Sequence, residues 1–239
     1  FACGCSQAVV AGSDPLLVRN YDYDLDLFEG VIASTNWSGH RKVIGTSDLL
    51  WGLLDGMNED GLVASLTFGG RPEVGDGFGI PLVIRYILET CANVEDAISA
   101  LGRLPIAQSY NVTLADTSGA HATVFVAPDE PIALSNLTVA TNHRLDVVER
   151  PEHARRLGSK PRQEHLVRLL DEDTPRHRLV DAFLQEPLRA EQYTNGFGTL
   201  YTAAYRPAAG SVTYRWPDKT WVRTFDDVDD QVEVTLAGC

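Results

Sequence analysis

No stretch of the 239-residue sequence holds the ~18–20 consecutive apolar residues that a membrane-spanning helix needs. Positive charge is also scarce: 20 Lys and Arg stand against 33 Asp and Glu, for a formal net charge of −13. Phosphate backbones and anionic lipid surfaces are recognised through a basic face. Neither nucleic acid nor membrane is therefore the expected partner, and the acidity is read as solubility. Cysteine is sparse. Cys3, Cys5, Cys91 and Cys239 are too few for a disulfide scaffold and lack the paired spacing of a zinc site. The six histidines are scattered, with no two at metal-ligand spacing. No metal or other cofactor is expected. Repeats, low-complexity tracts and linkers are missing, so residues 1–239 are read as one domain. The sequence opens on Phe1 without a Met or a basic leader. The expectation is a trimmed or processed chain whose upstream segment would carry any targeting signal, with a cytoplasmic reading of the rest.

What the sequence does have is a thiol near its beginning, in Gly4-Cys5-Ser6, followed by Arg19-Asn20-Tyr21-Asp22. One backbone cut before Cys5 would make it an N-terminal nucleophile with its own α-amine as base. Such an amine titrates near pH ~8, so no histidine is required. A guanidinium favours thiolate over thiol, and a carboxylate can orient the ammonium or the thiol. Gly4 leaves the preceding peptide open to attack. The plainer readings are a small buried hydrophobe for Cys5 and a surface ion pair for Arg19 and Asp22.

Other residues invite a role. The Asn142 amide, in Thr141-Asn142-His143, can donate to a developing oxyanion, or can form an Asx turn. His143 admits a Cys-His reading, whereas His121 is read as structural on a strand face. Cys91 reads as core, and a pairing of Cys3 with Cys239 is left open. Asp22, Asp24 and Asp26 alternate along a strand-like run, yet the glycine and terminal Glu of a calcium loop are absent, so Asp24 and Asp26 are read as solvated. Asn36, Asn111 and Asn136 head glycosylation-type triplets of little weight.

The periodicities predict a hairpin over 6–11 and 15–20, beginning at Cys5 and ending at Arg19. Further strands are expected at 31–37, 42–45 and 61–68, the last entered by the turn Asn58-Glu59-Asp60-Gly61. A buried helix at 80–91 precedes a second at 94–101, capped by Asn93 with Asp96 answering. A hairpin at 109–116 and 121–127, short strands at 132–135 and 137–141, a charged helical region at 152–186 and a last hairpin at 199–206 and 211–216 follow. The 69–79 turn is read as a surface loop rather than a lid. This order suggests antiparallel sheets with helices outside.

Gly4-Cys5-Ser6, Arg19-Asn20-Tyr21-Asp22, the run from Asp55-Gly56-Met57-Asn58 to Leu62, and Thr141-Asn142 occur in an order that resembles the linear amide C–N hydrolases of the N-terminal-nucleophile (Ntn) superfamily. That group holds the choloylglycine hydrolases and the acyl-coenzyme A:6-aminopenicillanate acyltransferases. Ile80-Pro81, Ser109-Tyr110-Asn111 and Gly198-Thr199-Leu200-Tyr201-Thr202 bring the chain nearer the acyltransferase-like peptidase branch. The resemblance implies an α+β, four-layer αββα sandwich and a precursor that cuts itself between Gly4 and Cys5. It implies Cys5 as nucleophile, Arg19 and Asp22 as its tuning and orienting neighbours, Asn142 as oxyanion donor, and Arg162 as the later family arginine. Where choloylglycine hydrolases carry a second Asn, this sequence has Thr67. Its hydroxyl, or the N–H of Gly69, is the expected replacement, with Thr67, Phe68 and Gly69 at the substrate.

The expected function is a cysteine amidohydrolase or acyltransferase acting on a small-molecule acyl amide. The identity of the acyl group and the formation of a homo-oligomer are left open. The alternatives are an unprocessed or inactive sandwich that binds a partner, and a Cys-His hydrolase using His143.

Overall fold

The computed structural model describes residues 4–144, 151–227 and 229–236. The strands are β1 (Gly4–Val10), β2 (Leu16–Tyr23), β3 (Ile32–Thr35), β4 (Val43–Asp48), β5 (Gly52–Asn58) and β6 (Val63–Phe68). After helices α1 (Ile80–Thr90) and α2 (Val94–Leu101) come β7 (Tyr110–Ala115), β8 (His121–Val126), β9 (Ala133–Ser135) and β10 (Val139–Ala140). Three helices follow, α3 (Pro151–Arg156), α4 (Ser159–Asp171) and α5 (Arg176–Ala182), then β11 (Glu191–Gln192), β12 (Phe197–Arg206), β13 (Ser211–Trp216) and β14 (Lys219–Thr224).

These strands form two antiparallel sheets. The first runs β10-β1-β2-β12-β13-β14, with β11 on β12, and the second runs from β3 to β9 in chain order. The α1 and α2 helices cover the outer face of the second sheet, and α4 lies on β1 and β10 of the first. The result is the expected four-layer αββα sandwich. Period-2 alternation divides β1 and β2 of the first sheet between two cores. Cys5, Val9, Leu17 and Tyr21 face the second sheet in the large core, whereas Ala8, Leu16 and Val18 face outward, packing with Leu166, Leu179 and Phe183 under α4 and α5. The α1 helix buries Ile80, Val83, Ile84, Ile87 and Leu88, each removal from water being worth ~1.5–3 kcal/mol. Asn93 caps α2, its Oδ1 accepting the Asp96 N–H at 2.9 Å, while Asp96 accepts the Ala92 N–H at 3.1 Å.

Four expectations need correction. The second strand of the first hairpin does not stop at Arg19 but runs to Tyr23, so the whole Arg19–Asp22 motif lies within the ladder. Asp24 and Asp26 do not continue it: Asp24 caps a short 3-10 turn by accepting the Asp26 N–H at 3.1 Å. The β5 strand was hidden by its glycines. A Cβ on Gly56 would come within 2.8 Å of both the Ile44 carbonyl and Leu88 Cδ1, so close packing of β4 and α1, not a turn, requires glycine there. The β14 strand follows what was expected to be the last hairpin. Cys3 and Cys239 lie outside the described residues. Asn111 is buried, which removes its triplet as a glycan site.

Candidate active site

The β1–β2 register sets Cys5 across from Tyr21, Gln7 across from Arg19 and Gly4 across from Asp22. Cys5 and Arg19 therefore share the face between the sheets. Arg19 Nη2 donates to Cys5 Sγ at 3.4 Å. Its Nη1 donates to Asp55 Oδ2 at 2.7 Å and to the Leu54 carbonyl at 3.1 Å. The guanidinium lies 5.1 Å from the Tyr21 ring centroid and 5.8 Å from that of Tyr201. Asp55 is the counter-charge, and it also accepts from Tyr201 Oη at 2.5 Å, Thr46 Oγ1 at 3.1 Å and the hydroxyl of Tyr205. Burial, then the Asp55 charge, raises both tyrosines well above the ordinary phenol range, so they stay neutral donors. Sequence reasoning quoted Asp55 within a motif but gave it no role. The available signal was an acidic residue amid the apolar Leu53, Leu54 and Met57 of a strand.

On the other face of β1, Arg162 reaches in from α4. Its Nη1 donates to the Cys5 carbonyl and to Ser6 Oγ, each at 2.8 Å, and lies 3.4 Å from Asp22 Oδ2. Its Nη2 donates to Asn142 Oδ1 at 2.8 Å. Asp22 also accepts from Thr199 Oγ1 at 2.6 Å. Burial raises the Asp22 carboxyl above its usual range, opposed by Arg162, Thr199 and Arg19. Asn20 serves packing: its Nδ2 donates to the carbonyls of Phe183 at 2.7 Å and Leu188 at 3.1 Å.

Gln7 pairs with Ala140 and Ala8 with Val139. Continuing that register sets Asn142 opposite Cys5, one rung past the end of β10. There the Asn142 side chain takes the rung, its Oδ1 accepting the Cys5 N–H at 2.8 Å. Two donors on Oδ1 fix the amide orientation. Its Nδ2 is buried with no hydrogen-bond partner, a costly state in a native fold unless a ligand or reacting atom uses it.

The structure thus brings together Cys5, Arg19, Asp22, Asn142 and Arg162. The replacement oxyanion donors fare differently. Thr67 Oγ1 donates to the Thr141 carbonyl at 3.1 Å, and the Gly69 N–H donates to the Ser109 carbonyl at 3.2 Å. Each has a single hydrogen, and both are spent inside the fold. Phe68 stacks edge-on against Tyr110 with centroids 5.9 Å apart. His143 turns its ring to α4, with Nδ1 2.7 Å from Ser159 Oγ and Nε2 3.0 Å from Gln163 Oε1. Cys91 is buried and free, its thiol pushed up by burial.

The site is closed. Cys5 is fully buried, and a Cβ on Gly4 would lie 2.6 Å from Phe197 Cζ and 2.9 Å from Asp22 Oδ2. A surface hollow of about 560 Å³ lies elsewhere, on the outside of α4 between Pro161, His165, Arg168 and Pro187. Among the described residues, no three His, Cys, Asp or Glu are grouped to hold a metal, and no helix is long and apolar enough to cross a membrane.

The family model for acyl-coenzyme A:6-aminopenicillanic acid acyl-transferase matches residues 9–221. The chain belongs to that family. Arg19, Asp22, Asp55, Asn142 and Arg162 fall within the matched stretch, and Cys5 lies just ahead of it. No curated protein matches the sequence. Among solved structures, the chain is similar to a Caenorhabditis elegans N-acylethanolamine-hydrolyzing acid amidase ortholog, with a TM-score of 0.62 and 16% identity over 92% of this chain and 100% of that one. It is similar to a penicillin V acylase from Agrobacterium tumefaciens, with a TM-score of 0.58 and 17% identity over 91% and 84%. A mutant conjugated bile acid hydrolase from Clostridium perfringens matches with a TM-score of 0.57 and 12% identity over 97% of each chain. At these identities the structural likeness establishes the Ntn-hydrolase fold.

Proposed function

We propose that this protein is an Ntn-type hydrolase or acyltransferase acting on linear amides, with Cys5 as nucleophile after self-cleavage between Gly4 and Cys5. The observation that carries the reading is the pair of contacts on Cys5: Arg19 Nη2 3.4 Å from the sulfur, and Asn142 Oδ1 2.8 Å from the nitrogen. Family membership and the acyl chemistry named in the similar structures support it.

In maturation, Cys5 Sγ attacks the Gly4 carbonyl carbon. The C–S bond forms, the C–N bond breaks, and the departing Cys5 nitrogen takes the thiol proton. That step frees the α-amine of Cys5 with Asn142 Oδ1 still facing it, and water then hydrolyses the thioester, breaking the C–S bond to release the Gly4 carboxylate and restore the Sγ thiol. In turnover that amine accepts the Sγ proton while Sγ attacks the substrate carbonyl. Asn142 Nδ2 donates to the oxyanion. Collapse of the tetrahedral intermediate returns the proton to the leaving amine, and water or a second amine resolves the acyl-thioester.

The test is amide turnover across a panel of acyl amides, with intact mass measured in parallel. Cys5→Ala is expected to keep Gly4 attached and to lower turnover by at least ~10³-fold. Equal rates for wild type and variant end this reading. The buried sulfur behind an intact Gly4–Cys5 peptide favours one second reading, a binding module. Wild-type protein that never loses Gly4 and turns over no amide would support it.

A further inference from the structure

We infer that Asn111 is a positioning residue that aims Asn142 at the nucleophile. This rests on the proposed role of Asn142 and adds a residue from the opposite sheet. Asn111 lies on β7, directly across from Thr67 on β6. It is fully enclosed, and its Nδ2 faces the carbonyls on either side of Asn142: Thr141 at 3.1 Å and His143 at 2.9 Å. Thr67 Oγ1 accepts from the same Nδ2 at 3.1 Å and donates to the Thr141 carbonyl, also at 3.1 Å.

The 141–143 segment needs such a strap. The β10 strand ends at Ala140, so beyond it no ladder orients the chain. The flanking side chains are held from the other side by α4, where Thr141 Oγ1 donates to the Ser159 carbonyl at 3.1 Å and the His143 ring meets Ser159 and Gln163. With carbonyls tied to the second sheet and the flanking side chains tied to α4, the Asn142 side chain is left facing Cys5 and Arg162. Its unpartnered Nδ2 is then set by Asn111 without Asn111 touching the reacting atoms. An ångström of misplacement at a reacting group costs ~10²-fold, so the strap is expected to matter for rate rather than for substrate affinity.

The experiment is a double-mutant cycle on the mature enzyme, backed by crystal structures. Asn111→Ala is expected to lower kcat at least ~10-fold with KM within about twofold, whereas in an Asn142→Ala background it lowers kcat less than about twofold. Asn111→Ser, which keeps one donor, should fall between wild type and Asn111→Ala, and it carries the test if the alanine variant fails to fold. Thr67→Val, which removes one donor from the Thr141 carbonyl and one acceptor from Asn111 Nδ2 but leaves both Asn111 carbonyl contacts, should cost least. In the variant structure the Asn142 amide should leave the Cys5 nitrogen. Unchanged kcat, or an equal fold loss in both backgrounds, overturns the inference. If wild type turns over no amide, the functional reading fails first. The position of Asn142 in the Asn111 variants then decides alone: displacement supports the strap and an unmoved amide overturns it.

Discussion

Arg19 and Arg162 approach the same residue from opposite faces of β1, and their surroundings differ. Arg19 sits between the sheets, with its counter-charge Asp55 at 2.7 Å and one nitrogen left on the sulfur. Arg162 comes from the helical layer, and its nearest carboxylate, Asp22, is 3.4 Å away. Its shorter contacts, at 2.8 Å, go to uncharged oxygens of Cys5, Ser6 and Asn142. The inner arginine belongs to a closed ionic unit whose carboxylate is saturated by neutral hydroxyls, so its charge is fixed in place beside the thiol. The outer one divides its donors among backbone and side chains and organises geometry more than charge. In the proposed function, one strand thus separates tuning of the Cys5 thiol from alignment of what surrounds it.

The comparison breaks most sharply at Asp55. Asp55→Asn leaves the Arg19 guanidinium buried without its counter-charge, and loss of one partner of a buried pair costs about 3–5 kcal/mol. Urea unfolding should show that loss; a change under ~1 kcal/mol would mean that Arg19 is compensated elsewhere. Arg162→Met should act on rate instead. Loss of the Asn142 and Cys5 carbonyl contacts is expected to cut kcat by ~10²-fold, with a stability loss of about 1–3 kcal/mol from the groups left unpaired. If unfolding free energy fell as far as for Asp55→Asn, the two faces would not differ in kind.

The smallest effect is expected at Asp22. Burial raises its carboxyl, so the folded state holds the proton more tightly than the unfolded chain. Stability should then decline as pH rises from the ordinary carboxylate range, ~4, through the raised folded value, and level off above it. Asp22→Asn removes that decline, so its Tm should gain on wild type with rising pH even as activity falls. A Tm difference independent of pH would show that Asp22 is not titrating in the fold.

Much of the candidate site was legible because the chemistry demands particular residue types at strand ends. Gly4-Cys5, Arg19 and Asp22 stand out by motif and order, whereas Asn142 and Arg162 were selected only through the family resemblance. The residues that hold them do not stand out. Asp55 and Asn111 work through contacts across the gap between sheets, 30 or more residues away in sequence from Arg19 and from the Asn142 segment, and no local pattern encodes such a pairing. Asn111 even reads as a surface triplet. The fold shows the same division. The α2 helix was legible down to its cap, since Asn93 and Asp96 act within one turn. The β5 strand was not, because Gly52 and Gly56 look like turn residues until helix α1 is known to press against them.

The ladder between β1 and β10 has its last rung made by a side chain, Asn142, and not by backbone. A backbone rung is fixed to a peptide on each side. A carboxamide oxygen accepts equally from a peptide N–H and from a free ammonium. Cys5 can therefore pass from mid-chain residue to new terminus with both strands standing still. Under the proposed self-cleavage, folding the precursor and assembling the catalyst become a single event, and the cut needs no later rearrangement of the sheet.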